Sequence, residues 1–148
     1  METNLERHLG YWLRRVSNHV SGAFARSLQA KRTSVAEWVV LCRIRQRPGI
    51  TPGELAEALE MTRGAVSKVL DKLDAKTWIV RSSKPDDARV QLLELTPEGE
   101  RSLPELAAIA DENDQRFFGG LDADEMAALR RLLEKLTELH QIRDVPMA

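Results

Sequence analysis

Apolar residues recur every three or four positions near the start of the chain: Leu5, Leu9, Trp12, Val16 and Val20, continued by Phe24 and Leu28. That period is one face of an α-helix and predicts a long amphipathic helix over Asn4 to Ala30, with Thr3 and Glu6 as its capping box. The stretch "KRTSVAEW" offers a second box, in which Ser34 accepts from the Glu37 N–H while Glu37 reaches back. A second helix should run from about Val35 to Gln46, burying Trp38, Val39, Cys42 and Leu41, until "RPGI" stops it. In "TPGELAEALEMT", Thr51 caps, Pro52 stands where its missing N–H costs nothing, and Glu54 closes the box. This short helix buries Leu55 and Leu59 and ends near Glu60. Thr62 then caps the next helix, where Val66, Val69, Leu70 and Leu73 form one apolar stripe.

After these helices the period changes. "WIVRSS" (Trp78 to Ser83) and "ARVQLLEL" (Ala88 to Leu95) are rich in β-formers, and "KPDD" between them reads as a turn, so the pair predicts a hairpin. Leu92 and Leu93 break its strict alternation. Thr96 and Pro97 open a helix that should reach Phe118 and stop at Gly119–Gly120, with Pro104 kinking or breaking it near its first turns. Asp122 and Glu125 open the last helix, whose stripe is Met126, Leu129, Leu132, Leu133, Leu136 and Leu139. The fold class expected is mainly α with a small β-hairpin wing. Both ends of the chain carry more apolar stripe than a small central unit covers, which favours a subunit interface over an intrachain core.

Two short helices, a tight turn and a second helix with a small, basic outer face make the helix-turn-helix pattern. Thr62, Arg63, Gly64, Ser67, Lys68 and Lys72 lie off the apolar stripe of that second helix, Thr62 to Lys76. Small residues permit close approach to a major groove, and hydroxyls and cations can meet phosphates and base edges. The hairpin tip, with Lys84 and Arg89, would lie over the neighbouring minor groove, whose narrow A·T-rich segments attract a guanidinium. Asp87, two residues before Arg89, is near enough to orient it by a charge-assisted hydrogen bond. A plain helical hairpin with ordinary surface residues is the alternative reading of the same stretch.

Composition sharpens this picture only locally. The chain has 148 residues, 43% hydrophobic and 30% charged, which suits one soluble globular unit. No stretch approaches the ~20 apolar residues of a membrane span, so a cytoplasmic protein without a membrane partner is expected. The net charge of -1 conceals a segregation: Met1 to Val90 holds 16 Lys+Arg against 10 Asp+Glu, and Gln91 to Ala148 holds 6 against 13. Nucleic-acid binding responds to the local field rather than the total, so a near-neutral chain does not exclude it.

The order of these elements, with Asp87 and Arg89 in "DDAR", Leu95, Thr96 and Gly99 in "LTPEG", and "LAEAL…AVSKVLDKL" upstream, resembles the MarR family of winged helix-turn-helix transcriptional regulators. The resemblance covers nearly the whole chain. It implies a homodimer joined through the N- and C-terminal helices, residues 1–34 and 97–148, around a DNA-binding region at 35–96. It also implies that each wing arginine enters the minor groove of double-stranded DNA. Most such proteins are repressors, and many are released by a small aromatic or phenolic effector held between the dimerisation and DNA-binding parts. One departure is Ala88, where members usually carry a second basic residue; one backbone contact per wing is then missing.

Other chemistry finds little support. The single Cys42 rules out an internal disulfide and falls on the apolar side of its helix, where a buried, inert thiol is the expectation over a redox switch. His8, His19 and His140 lack ligand spacing with acidic or cysteine partners, and Trp12 and Trp38 lie on core stripes. There is no phosphate-cradling glycine loop, no His-Glu metal helix and no nucleophile elbow, so neither a cofactor nor an enzyme activity is expected. The competing class is a protein-interaction module on a winged-helix fold without specific DNA binding. Its sign would be an apolar, uncharged recognition face.

Overall fold

A computed structural model describes residues 3–148. The first long helix begins later than its apolar stripe predicts. Asn4, not Thr3, acts as a cap, its side chain accepting from the Glu6 N–H at 3.0 Å, and a single 3-10 turn, Leu5–Arg7, follows. A short asparagine side chain that satisfies an N–H two residues on competes with helix propagation. Helix α1 therefore runs Leu9–Gln29, and α2 (Val35–Gln46), α3 (Pro52–Leu59) and α4 (Arg63–Ala75) follow. The hairpin is β1 (Ile79–Lys84) with β2 (Asp87–Leu95), and α5 (Pro97–Phe118) and α6 (Ala123–Leu139) complete the chain.

Local capping chemistry sets most of these boundaries. The side chains of Ser34, Thr51, Thr62, Thr96 and Asp122 each accept from a backbone N–H three residues on, at the starts of α2 to α6. Thr51 with Glu54 and Asp122 with Glu125 form complete capping boxes. Glu37 does not reach back to complete one with Ser34. Its carboxylate is buried and pairs instead with the Lys76 ammonium at the end of α4, which also donates to the Arg32 carbonyl and lies 4.8 Å from the Trp78 ring centroid. An ion so thoroughly removed from water needs a partner, and the neighbouring helix supplies one that the local sequence lacks.

The core lies where α2, α3, α4 and the base of the hairpin meet. Val40, Leu41 and Ile44 of α2 pack there with Leu55, Leu59, Val66, Leu70, Leu73, Ile79 and Leu93. Leu41 alone is shared with the face expected from sequence: Trp38, Val39 and Cys42 are only partly buried, packed against the edge of this core. Pro104 does not break α5; the buried Leu103 and Leu106 anchor the helix on both sides of it.

The sheet is more than a hairpin. Ile50, just before α3, forms an antiparallel bridge to Leu93, with Leu93 N donating to the Ile50 carbonyl at 2.9 Å and Gly49 N to the Leu93 carbonyl at 2.8 Å. Gly49 turns the chain into this bridge at φ +84, a conformation that favours glycine. The bridge ties the entry to α3 to the second strand of the hairpin.

The terminal helices stand apart from this core. Only the last third of α1 has buried residues, Ala23 and Leu28, and α6 has none. Leu9, Trp12, Leu13 and Val16 of α1, and Met126, Leu132, Leu133, Leu136 and Leu139 of α6, are exposed. Trp12 is thus not a core residue within one chain; its indole N–H donates to the Glu6 carbonyl at 2.9 Å. After α6 the tail returns to the body, where Val145 and Met147 pack against the core. Among the described residues no helix is long and apolar enough to cross a membrane.

Candidate nucleic-acid interface

Helix α4 presents two faces of opposite character. Val66, Val69, Leu70 and Leu73 are buried, while Thr62, Arg63, Gly64, Ser67, Lys68 and Lys72 are all exposed. The i, i+3, i+4, i+7 spacing of the apolar set places the second group on the outer surface. Thr62 is committed as the cap, its hydroxyl accepting from the Ala65 N–H at 3.1 Å. A Cβ at Gly64 would meet no heavy atom within 4 Å, so nothing inside the protein requires glycine there.

The hairpin turns tightly at Pro85–Asp86, with Lys84 opposite Asp87. The ladder then loses register. Ser83 pairs with Gln91 and Lys84 with Asp87, which leaves Ala88, Arg89 and Val90 of β2 without partners across the strand. This bulge projects Arg89, whose side chain is 95% exposed. Asp87 steers it through the backbone: Asp87 Oδ1 accepts the Arg89 N–H at 3.1 Å, whereas the guanidinium Nε lies 3.6 Å away, beyond hydrogen-bond reach. The aspartate thus fixes the bulge and stays within ion-pair range of a guanidinium that is itself almost wholly exposed.

Helix α4 and the hairpin converge on one cleft. Arg63 and Arg89, with Val90 and Gln91, face Thr51, Pro52 and Gly53 at the N-terminus of α3 across an open cavity of about 370 Å³. Two guanidinium groups and the positive end of a helix dipole share this space, an arrangement suited to anionic oxygens. Thr51, Pro52, Gly53, Val90 and Gln91 lie outside the interface residues expected from sequence, Thr51 having been read only as a cap; the small residues around that cap were the available signal. Nearby, the side-chain hydrogen bond with Thr51 lowers the Glu54 pKa, with further help from the Thr51 backbone and from the Arg47 and Lys84 charges. Glu54 is therefore held ionised and pairs with Arg47.

The remaining candidate groups do not join this site. Cys42 is half-buried on α2, and burial pushes its thiol pKa up, with the Arg43 charge acting against the shift. The thiol is consequently protonated at neutral pH. Among the described residues, no group of three or more His, Cys, Asp or Glu is placed to hold a metal ion.

The chain is similar to known proteins in sequence and in fold. Residues 33–90, which span α2 through the hairpin tip, match the MarR family pattern. The chain is 38% identical over 111 residues to the multiple antibiotic resistance protein MarR of Salmonella typhimurium, covering 70% of this chain and 72% of that protein. Among solved structures it is similar to a mutant Escherichia coli MarR complexed with operator DNA: TM-score 0.73, 32% identity, 86% of this chain and 92% of that one. It is also similar to Bordetella bronchiseptica BpsR, whose DNA binding is regulated by 6-hydroxynicotinic acid: TM-score 0.76, 27% identity, 93% and 98% coverage.

Proposed function

The chain belongs to the MarR family of winged helix-turn-helix, DNA-binding transcriptional regulators, and from that premise we propose that it acts as a homodimer on a pseudo-palindromic operator. Helix α4 docks in the major groove through Arg63, Gly64, Ser67, Lys68 and Lys72, with Thr62 at its start. Lys84 and Arg89 of the hairpin reach the adjacent backbone and minor groove, with Asp87 shaping the bulge. The observation that carries this reading is the placement of Arg89, almost wholly exposed, in one cleft with Arg63 at the start of α4.

Residues 1–34 and 97–148 supply the dimer interface in this proposal, and 35–96 the DNA-binding region. The exposed apolar faces of α1 and α6 support it, because apolar stripes of that length on a monomer mark an association surface. Two-fold symmetry then sets half-sites about one helical turn apart. Regulation follows as a population shift: a small aromatic or phenolic effector that favours a different spacing of the two α4 helices releases DNA, so the protein works as a repressor. BpsR, regulated by an aromatic acid, supports the effector class. Ala88, beside Arg89 on the bulge, gives a shallower salt dependence than a wing with two basic residues.

The test is a salt series of binding to a pool of random duplexes, with sequencing of the retained fraction. A two-fold symmetric motif is expected; absence of enrichment over background would refute sequence-specific recognition. On that motif Arg89→Ala should cost about 1–3 kcal/mol of binding while the dimer, followed by sedimentation, stays intact. The exposed α4 face is charged, which opposes the reading as a pure protein-interaction module.

A further inference from the structure

Along β1 the side chains alternate: Ile79 is buried, Val80 exposed, Arg81 half-buried and Ser82 exposed. The inward position two residues after Ile79 is one that an apolar side chain normally fills. Here it holds a cation, and its cross-strand partner Leu93 is fully buried. The guanidinium reaches out from beneath to α4, where Arg81 Nη2 donates to Asp71 Oδ1 at 2.9 Å. Arg81 Nε is buried and has no hydrogen-bond partner, the only such side-chain nitrogen or oxygen among the described residues.

As a stabilising device this arrangement is poor. The Asp71 side chain is 69% exposed, so the pair is screened by water, and a buried N–H without an acceptor works against folding. Asp71 is also an acid on an outer helix surface where Lys68 and Lys72 favour phosphate. Both residues oppose what their surroundings favour, and the interaction they share is the feature that accounts for both. It lies at a decisive place. From Ser82 to Leu92 no hairpin residue is buried, and none hydrogen-bonds to another element among the described bonds. Arg81–Asp71 is the outermost polar tie between the hairpin and α4, and Arg89 lies beyond it.

We propose that Arg81 and Asp71 are positioning residues that fix the angle of the hairpin on α4, so that the α4 face and Arg89 meet DNA in one register. The proposal rests on the wing reading above and adds what makes the wing contact count. A guanidinium suits the task because its planar fork constrains direction as well as distance. Without the tie the bulge still carries Arg89, but the tip samples orientations in which that side chain misses its groove, and the contact is paid for in lost conformational freedom.

A double-mutant cycle for binding to the duplex enriched from the random pool tests it. Arg89→Ala is measured in the wild-type, Arg81→Gln and Asp71→Asn backgrounds, with thermal unfolding and sedimentation as controls for fold and dimer. In the wild-type background R89A weakens binding; in the other two its effect falls to about twofold or less, because coupled residues are non-additive. The charge that D71N removes near phosphate cancels within the cycle. Should R81Q fold poorly, D71N decides, since its exposed side chain leaves the core intact. An R89A penalty undiminished in D71N overturns the positioning role and leaves the wing contact standing. No R89A penalty in the wild type overturns the wing contact, and the positioning role with it.

Discussion

Gly99 gives a quantitative test of how the hairpin and α5 are joined. It lies buried in the first turn of α5, and a Cβ built there would overlap the carbonyl oxygen of Trp78, 3.0 Å from the carbonyl carbon and 3.2 Å from Cα. These are backbone atoms and cannot rotate away. Ordinary carbon contacts of about 3.5 Å are restored only if the start of α5 backs off from the Thr77–Trp78 segment. That movement strains the Thr96 N–H to Trp78 carbonyl bond, 3.0 Å, and the Thr96 hydroxyl to Thr77 carbonyl bond, 2.5 Å. Overpacking costs about 1–3 kcal/mol and each weakened hydrogen bond up to about 1, against a gain of at most about 1 for alanine in a helix. Gly99→Ala should therefore destabilise the protein by about 2–3 kcal/mol, lowering Tm by roughly 4–12 °C for a chain of this size. Urea unfolding at fixed protein concentration, which holds the mass action of any self-association constant, should show a lower midpoint with unchanged slope. Gly64→Ala is the control, since a Cβ there meets nothing and the helix gains up to about 1 kcal/mol. If G99A proves as stable as the wild type, the close contact does not exist and the argument fails.

Lys76→Met should cost about 3 kcal/mol or more by stranding the buried Glu37 carboxylate, and adding Glu37→Gln should recover much of that loss in the same urea assay. Cys42, with its thiol pKa raised by burial, should react with a thiol reagent at pH 8 more slowly than free cysteine and reach the free rate once the protein is unfolded. Glu54 should titrate by NMR below the ordinary glutamate range, and Thr51→Ala should move its midpoint back up. Because its folded pKa is depressed, the stability it contributes is present above the usual carboxylate range and is lost as pH falls through the folded value.

Which parts of the molecule were legible follows from how far each determining interaction reaches. A cap acts over three residues, so Ser34, Thr51, Thr62, Thr96 and Asp122 announced the starts of five helices, and all five cap as their spacing requires. Strong amphipathicity identified the buried stripe of α4, and by elimination the outer face that carries Arg63, Ser67 and Lys68. Helix α2 was different. It is apolar on more than one side, so its own pattern did not choose between Trp38 and Val40; the neighbours it packs against chose Val40, Leu41 and Ile44.

The wing shows the same division at the scale of the site. The residues "KPDD" located the turn and "DDAR" singled out Asp87 and Arg89, because turn preference and charge are properties of a few consecutive residues. That Asp87 hydrogen-bonds the backbone N–H, with the guanidinium only in ion-pair range, depended on a bulge that appears only when β1 pairs with β2. The remaining decisions belong to contacts between distant residues: Glu37 with Lys76, Ile50 with Leu93, and Arg81 with Asp71. No local pattern marks such pairs, since each member looks like an ordinary surface or strand residue until the fold brings the two together. The sequence by itself determined the elements and the chemistry they display. Tertiary structure decided which charges are buried and in which direction the arginine of the wing projects, because both are set by packing and strand pairing between elements rather than by the few residues around each side chain.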